Sequence, residues 1–167
     1  MNTELDINKF LEERGRAMRK SRLTDELIST YKKSTPNVTP IWDSTPHSIQ
    51  FNDISDEILK AGIDIYTASH SDVWCGIYQP KIYDKGTLWQ DIHDSGKIAR
   101  VIEAWENKKA LSPLFFVKHG SKDMALVADG KHRLTVARHM GCDYIPFMVQ
   151  TDKSDWVSRA IPSARKI

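Results

Sequence analysis

The sequence has little cysteine, almost no net charge and no long apolar run. Among 167 residues only Cys75 and Cys142 are cysteines, and no Cys-x-x-Cys pair occurs, so a disulfide framework and a cysteine-rich zinc site are both poorly supported. We expect both cysteines to be small buried apolar side chains. No run of about 18 apolar residues is present, and acidic residues occupy the N-terminal region where a signal peptide would be apolar. These absences predict a cytoplasmic protein with no membrane partner.

The charge balance hides an uneven distribution. The formal net charge is only +2, which argues against a dedicated nucleic-acid or membrane-surface binder. However, residues 97–167 contain 13 basic and 7 acidic residues, whereas residues 34–96 contain 3 basic and 9 acidic residues. We therefore expect a localised anion site in the C-terminal part, with partner carboxylates supplied by residues 34–96.

Composition divides the chain into three segments. Residues 1–33 place apolar residues at near-helical spacing and predict an N-terminal helical extension, made of one helix or two short ones. Residues 34–48 contain three prolines among Ser and Thr, which is typical of an extended connector. Residues 49–167 are predicted to form the folded domain.

Apolar periodicity, caps and turn residues predict the elements of that domain. They are a helix over 56–61 capped by Ser55, β-prone pieces over 63–67 and 73–83, a helix over 97–109, strands over 114–117 and 124–128, a helix over 132–140, a strand over 145–149, and a helix over 155–161 capped by Ser154. This order predicts an α+β fold with a mixed sheet.

The most informative segment is Asp129-Gly130-Lys131-His132-Arg133, where a predicted strand gives way to a predicted helix. Gly130 permits a tight turn and close backbone approach, and the N-terminus of the following helix suits an anion. The three basic residues add donors, and Arg grips phosphate bidentately. The segment therefore predicts phosphate binding. The alternative is a polar turn in which Asp129 caps the helix and the basic side chains face solvent.

The stretch from Lys97 to Val149 resembles the ParB/sulfiredoxin superfamily. It has an amphipathic helix, a proline before a hydrophobic strand, a strand that leads into a Gly-x-His-Arg turn, a helix that ends at glycine, and an Ile-Pro strand. The resemblance implies a small mixed sheet packed with helices. It also implies that Gly130, His132 and Arg133 contact a nucleotide phosphate, together with Lys97 and Arg100 on the preceding helix.

Departures from the family patterns exclude two of its activities. Lys131 stands where sulfiredoxin has its catalytic cysteine, so sulfiredoxin chemistry is not expected. The Gly-Glu-Arg-Arg signature of chromosome-partitioning ParB is absent, and no helix-turn-helix pattern follows, so centromere binding is not expected either. The Asp-Gly-His-His-Arg turn of the free-serine-kinase branch and of ParB-like proteins is the closest variant.

The resemblance implies ATP or another NTP as ligand, with Mg²⁺-dependent phosphoryl transfer or nucleotide hydrolysis as the reaction. Asp129 and His132 are then the catalytic candidates, and Asp129 is also the candidate metal ligand. A carboxylate from the acidic segment would be the base that activates the acceptor. The candidates are Asp64, Asp72, Asp84, Asp91 and Asp94.

Two other functions stay open. One is a ParB-like protein that binds a DNA or RNA backbone, with nuclease activity. The other is a non-enzymatic regulatory or inhibitory protein that binds a protein partner through the helices of residues 1–33. A metal site built on histidine is not expected, because the six histidines include no i, i+4 pair and no His-x-His.

Overall fold

The computed structural model describes residues 3–44, 55–80, 88–90 and 92–167. The contacts divide the chain into two compact units, Met1–Pro36 and Asn37–Ile167. The candidate carboxylates Asp84 and Asp91 lie outside the described residues. No helix in the described part of the chain is long and apolar enough to cross a membrane.

The first unit contains one continuous helix, α1, over Thr3–Lys33. Of the two interpretations of this segment, the structure shows the single helix. Ion pairs at i, i+4 spacing line its surface, Glu12 with Arg16 at 3.8 Å and Arg22 with Glu26 at 3.7 Å. Its N-terminal half exposes more than half of each of four large apolar side chains, Ile7, Phe10, Leu11 and Met18. The binding of a protein partner by this helix stays a prediction.

The second unit is built on a five-stranded mixed sheet. Its elements are α2 (Asp56–Ala61), β1 (Ile63–Ser69), α3 (His70–Gly76), α4 (Ser95–Glu106), β2 (Leu114–Lys118), β3 (Ala125–Asp129), α5 (Lys131–His139), β4 (Tyr144–Gln150), a 3-10 turn (Thr151–Lys153), α6 (Val157–Ala160) and β5 (Arg165–Lys166). The strand order is β3-β2-β4-β1-β5. Strands β2 and β4 are parallel, and the other neighbours are antiparallel. The predicted α+β class, with its mixed sheet and N-terminal helix, is confirmed.

Strand β4 forms the centre of the sheet because nearly all of it is apolar. Five consecutive residues, 145–149, are buried, which is typical of a strand covered on both faces. Tyr66 of β1 stacks on Phe147 with ring centroids 5.5 Å apart, and Phe116 of β2 stacks on the same ring at 4.8 Å. These aromatic contacts join three neighbouring strands.

Helix α4 packs the predicted apolar face into this core. Its four periodic residues, Ile98, Val101, Ile102 and Trp105, are all buried. The indole Nε1–H of Trp105 donates to the Ile41 carbonyl at 2.9 Å, and Trp42 packs edge-on against the same indole at 5.2 Å. Trp105 therefore fixes both α4 and the chain at 41–42 within the second unit.

The β-prone interpretation of residues 73–83 is wrong for the described part. Residues 70–76 form α3, because the side chain of Ser69 accepts a hydrogen bond from the Asp72 amide and starts a helical turn. Ile77 then makes only an isolated bridge with Ala125. Residues 81–83 lie outside the described part. A local cap therefore outweighs the β propensity of Val73 and Trp74.

The predicted closing helix is present but shorter than expected, and the prediction of two buried cysteines is wrong. The last helix is only Val157–Ala160, because the Ser154 hydroxyl donates to the Thr151 carbonyl and closes the preceding 3-10 turn instead of capping a helix. The cysteines are not fully buried: Cys75 is exposed and Cys142 is partly buried. Helix α3 turns Val73 and Gly76 toward the core, which leaves Cys75 outside.

Candidate functional site

The predicted phosphate turn lies at the start of α5, directly after β3. Gly130 adopts a left-handed conformation, with φ 96° and ψ 18°, and no side chain among the described residues caps the helix. The Leu134 amide donates to the Gly130 carbonyl at 2.9 Å and closes the first turn. The amides at this end have no intrahelical acceptor and point out of the helix. The arrangement is that of a helix N-terminus open to an anion.

Asp129 does not cap α5, so the capping alternative is wrong. Its Oδ2 instead accepts a hydrogen bond from Nη2 of Arg133 at 3.0 Å, and the same Nη2 donates to the Pro113 carbonyl at 3.4 Å. The side chains of Asp129 and Arg133 are only 32% and 19% exposed, respectively. Asp129 and Arg133 therefore form a partly buried ion pair that ties the start of α5 to the segment before β2.

Gly130 is required at this turn for two physical reasons. A Cβ atom there would lie 2.6 Å from Cδ2 of Leu114 and 3.0 Å from Nη2 of Arg133. Its positive φ is also a conformation that residues with a side chain adopt only at a cost. Gly130 thus allows the helix end and the Asp129–Arg133 pair to pack closely together.

The N-terminus of α4 lies beside that of α5. Asp94 caps α4, since its Oδ1 accepts from the Lys97 amide at 3.1 Å. The Asp94 amide donates to Nε2 of His132 at 3.4 Å. The ring of His93 meets that of His132 edge-on, with centroids 6.2 Å apart. The fold therefore brings His93, Asp94 and Lys97 to the first turn of α5, and we name this group with Lys131 and His132 the α4/α5 junction.

The electrostatics of the junction favour neutral imidazoles. Burial lowers the pKa of His132, and the positive charges of Lys97 and His93 lower it further. Burial also lowers the pKa of His93. The hydrogen bond from the Lys97 amide lowers the pKa of the Asp94 carboxyl. At neutral pH the junction therefore favours an ionised Asp94 carboxylate beside neutral imidazoles.

The remaining predicted phosphate ligands are on the surface. Lys131 is exposed at the first position of α5, and Arg100 is exposed on α4, three residues after Lys97. A cavity of about 450 Å³ adjoins Lys131 and is lined by Tyr78, Gln79 and Val127, among others. This volume lies within the range of small-molecule sites. The structure thus places an open cavity of small-molecule size next to a lysine of the junction.

Of the three candidate carboxylates that the structure describes, only Asp94 is at the junction. Asp64 pairs with Lys166 at 3.1 Å and accepts from the Thr151 hydroxyl at 3.2 Å. Asp72 accepts from the Ser163 amide at 2.8 Å. Asp64 and Asp72 therefore have structural partners elsewhere in the domain.

The sequence predicts Mg²⁺ at the turn, and this ion needs only one or two protein carboxylates when a nucleotide supplies phosphate oxygens. Asp129, the predicted ligand, is a single carboxylate whose Oδ2 is occupied by a guanidinium. Within the residues that the structure describes, no group of three or more His, Cys, Asp or Glu side chains could hold a metal ion. Asp129 supports the turn through Arg133 in this structure, and its role as a Mg²⁺ ligand stays a prediction.

His93 was missed by the sequence reasoning. It directly precedes the cap residue of α4, but nothing local shows that the packing of α5 brings His132 against its ring.

Comparisons of the chain with protein-family models, with curated proteins and with solved structures give no significant match. Membership of the ParB/sulfiredoxin superfamily therefore stays a prediction that rests on the residues of the Lys97–Val149 stretch.

The His132 contact predicts an acid-sensitive junction. The folded state lowers the pKa of His132 below its ordinary value of 6.5, which is the value expected in the unfolded chain. As the pH falls from neutral, the unfolded chain therefore takes up the His132 proton before the folded chain does. The stability that neutral His132 contributes is present above about pH 6.5 and is lost as the pH falls below it. We expect His132→Gln, whose amide oxygen can still accept from Asp94, to lose less stability than wild type between pH 7.5 and 5.5. Urea midpoints at both pH values measure the difference, and equal losses would contradict the expectation.

Proposed function

We propose that this domain binds a nucleotide by holding its phosphate at the α4/α5 junction. The observation that carries the proposal is the N-terminus of α5, which has no side-chain cap among the described residues and lies beside Lys97, Lys131 and His132. A helix N-terminus with neighbouring cations suits a phosphate group. The resemblance of the turn to those of nucleotide-binding ParB/sulfiredoxin proteins supports the nucleotide over a simple anion.

In this proposal the residues of the turn have separate tasks. The amides of α5 and the two lysines donate to phosphate oxygens. Gly130 lets the turn pack closely against Leu114 and Arg133. Asp129 and Arg133 hold the turn from behind rather than contact the phosphate. His132 is the candidate base, and its Nε2 would take up a proton from a hydroxyl that attacks the phosphate only after it releases the Asp94 amide.

Replacement of the junction lysines tests the proposal. We expect ATP, ADP, CTP or GTP to raise the melting temperature of the full chain, because a ligand that prefers the folded state stabilises it by mass action. Lys97→Ala and Lys131→Ala should each weaken binding about tenfold, which corresponds to about 1.4 kcal/mol for one lost charge-assisted contact. Titration calorimetry with the nucleotide that gives the largest thermal shift measures this change.

Lys109→Ala is the matched control, because Lys109 is an exposed lysine beyond the other end of α4. It should bind the nucleotide as wild type does. A nucleotide affinity equal in all four proteins would reject the junction as the site. Binding of a short DNA duplex that falls steeply with salt, without any nucleotide response, would replace the proposal with the nucleic-acid alternative.

A further inference from the structure

Helix α1 carries a narrow apolar stripe that is exposed to solvent. At about 100° per residue, four of its large apolar side chains fall within about 100° of the helix surface. They are Ile7, Phe10, Leu11 and Met18, and between 56% and 65% of each is exposed. A stripe of this width is typical of a seam between two helices, and contiguous exposed apolar residues mark interaction sites. The stripe therefore indicates a helical partner.

The charge of α1 changes sign near the middle of this stripe. Residues 3–13 contain one basic and four acidic residues, a formal charge of −3, whereas residues 14–24 contain five basic and no acidic residues, a formal charge of +5. The stripe extends from Ile7 to Met18, so its midpoint lies between Glu12 and Glu13, one residue from the change of sign. The seam therefore has an acidic half and a basic half about one centre.

A second copy of α1 in antiparallel orientation matches both patterns. A two-fold axis at the midpoint of the stripe places Ile7 opposite Met18 of the second copy, and the acidic half of each helix then lies along the basic half of the other. In parallel orientation, halves of like charge would meet and repel each other. Arg14 also falls within the stripe, and antiparallel pairing brings its guanidinium to the acidic half of the second copy.

The ion pairs within α1 leave these charges available to a partner. Glu12 approaches Arg16 to 3.8 Å and Arg22 approaches Glu26 to 3.7 Å, and at least 63% of each of the four side chains is exposed. Pairs this exposed contribute about 0–1 kcal/mol, so they exchange partners at little cost. A nucleic acid, by contrast, would be attracted to the basic half of the helix and would leave the acidic half of the stripe in solvent. A second copy is therefore the occupant that both halves favour.

We propose that α1 pairs with α1 of a second copy of this chain in antiparallel orientation, along the stripe of Ile7, Phe10, Leu11 and Met18. This pairing involves residues of the first unit alone, whereas the nucleotide site is built from residues of the second unit. Failure of one therefore leaves the other unaffected, and each has its own measurement.

Sedimentation of the full chain between about 1 and 100 µM tests the pairing. We expect a reversible equilibrium between monomer and dimer. Leu11→Gln should raise the dissociation constant of the dimer at least about tenfold, because each dimer loses two leucine side chains from the seam. Glutamine is uncharged and a good helix former, so this variant keeps the helix and its charge pattern.

Leu23→Gln is the matched control on the same helix. Leu23 is 61% exposed, much like Leu11, but it lies about 120–160° round the helix from the four residues of the stripe. It should dimerise as wild type does, and circular dichroism verifies that both variants keep their helix content. Equal weakening of the dimer in the two variants would overturn the proposal, as would a dimer that neither variant weakens.

The salt dependence of the dimer distinguishes the two orientations. Antiparallel pairing brings opposite charges together, so the dissociation constant should rise as the salt concentration increases from about 50 to 500 mM. A dimer that becomes tighter over this range would overturn the antiparallel arrangement. A chain that stays monomeric throughout would overturn the pairing itself, and binding of a short DNA duplex by that monomer would assign the basic half of α1 to nucleic acid instead.

Discussion

Gly130→Ala is expected to lower the free energy of unfolding by about 2–4 kcal/mol, the sum of left-handed backbone strain and overpacking. The strain arises because φ at this position is 96°. The overpacking arises because a Cβ would lie 2.6 Å from Leu114 Cδ2, inside van der Waals contact. For a chain of this size the melting temperature should fall by about 5–15 °C.

Two other glycines separate these contributions. Gly141 also has a positive φ, 71°, but no atom of the described residues lies within 4 Å of the position that a Cβ would take. Gly141→Ala should therefore show the backbone strain alone, about 1–2 kcal/mol. Gly120 has no positive φ, and no atom in the described part of the chain lies within 4 Å of its Cβ position, so Gly120→Ala should change stability by less than about 0.5 kcal/mol. Urea unfolding of the three variants and wild type gives the comparison. A cost at Gly130 no larger than at Gly141 would show that Leu114 and Arg133 move aside freely.

Local signals in the sequence were sufficient for much of the fold. Helix α2 begins after Ser55 and ends before Gly62, as predicted, because an N-cap serine and a C-terminal glycine both act within one turn of the helix. The buried face of α4 follows from its apolar period alone. In contrast, β5 pairs only two residues with β1, and no local pattern in so short a segment predicts a partner about 100 residues away.

The candidate site was only partly predictable for the same reason. The turn at Gly130 was found because it lies in five consecutive residues. The ion pair of Asp129 with Arg133 has i, i+4 spacing, so the sequence did contain a signal for it, which the phosphate interpretation of Arg133 overlooked. The contact of His132 with Asp94 depends on how α4 packs against α5, and tertiary packing of this kind has no signature in either segment.

Removal of either partner of the Asp129–Arg133 pair should destabilise the fold more than it weakens nucleotide binding. Asp129→Asn and Arg133→Gln are each expected to lower the free energy of unfolding by about 1–3 kcal/mol, because each leaves a partly buried charge without its partner. The double variant should cost less than the two single costs added together, by about 1 kcal/mol, since the residues contact each other directly. Urea unfolding of the four proteins measures this coupling.

Nucleotide affinity of the same four proteins then distinguishes support of the turn from contact with the phosphate. Affinities are compared at a temperature where every variant is fully folded. If the pair supports the turn, the nucleotide affinity of Arg133→Gln should lie within about threefold of that of wild type, whereas Lys131→Ala should bind about tenfold more weakly than wild type. A loss in Arg133→Gln that exceeds the loss in Lys131→Ala would return Arg133 to the phosphate. In that case Arg133 would contact the phosphate either through Nη1, while Nη2 stays 3.0 Å from Oδ2 of Asp129, or after the guanidinium leaves Asp129.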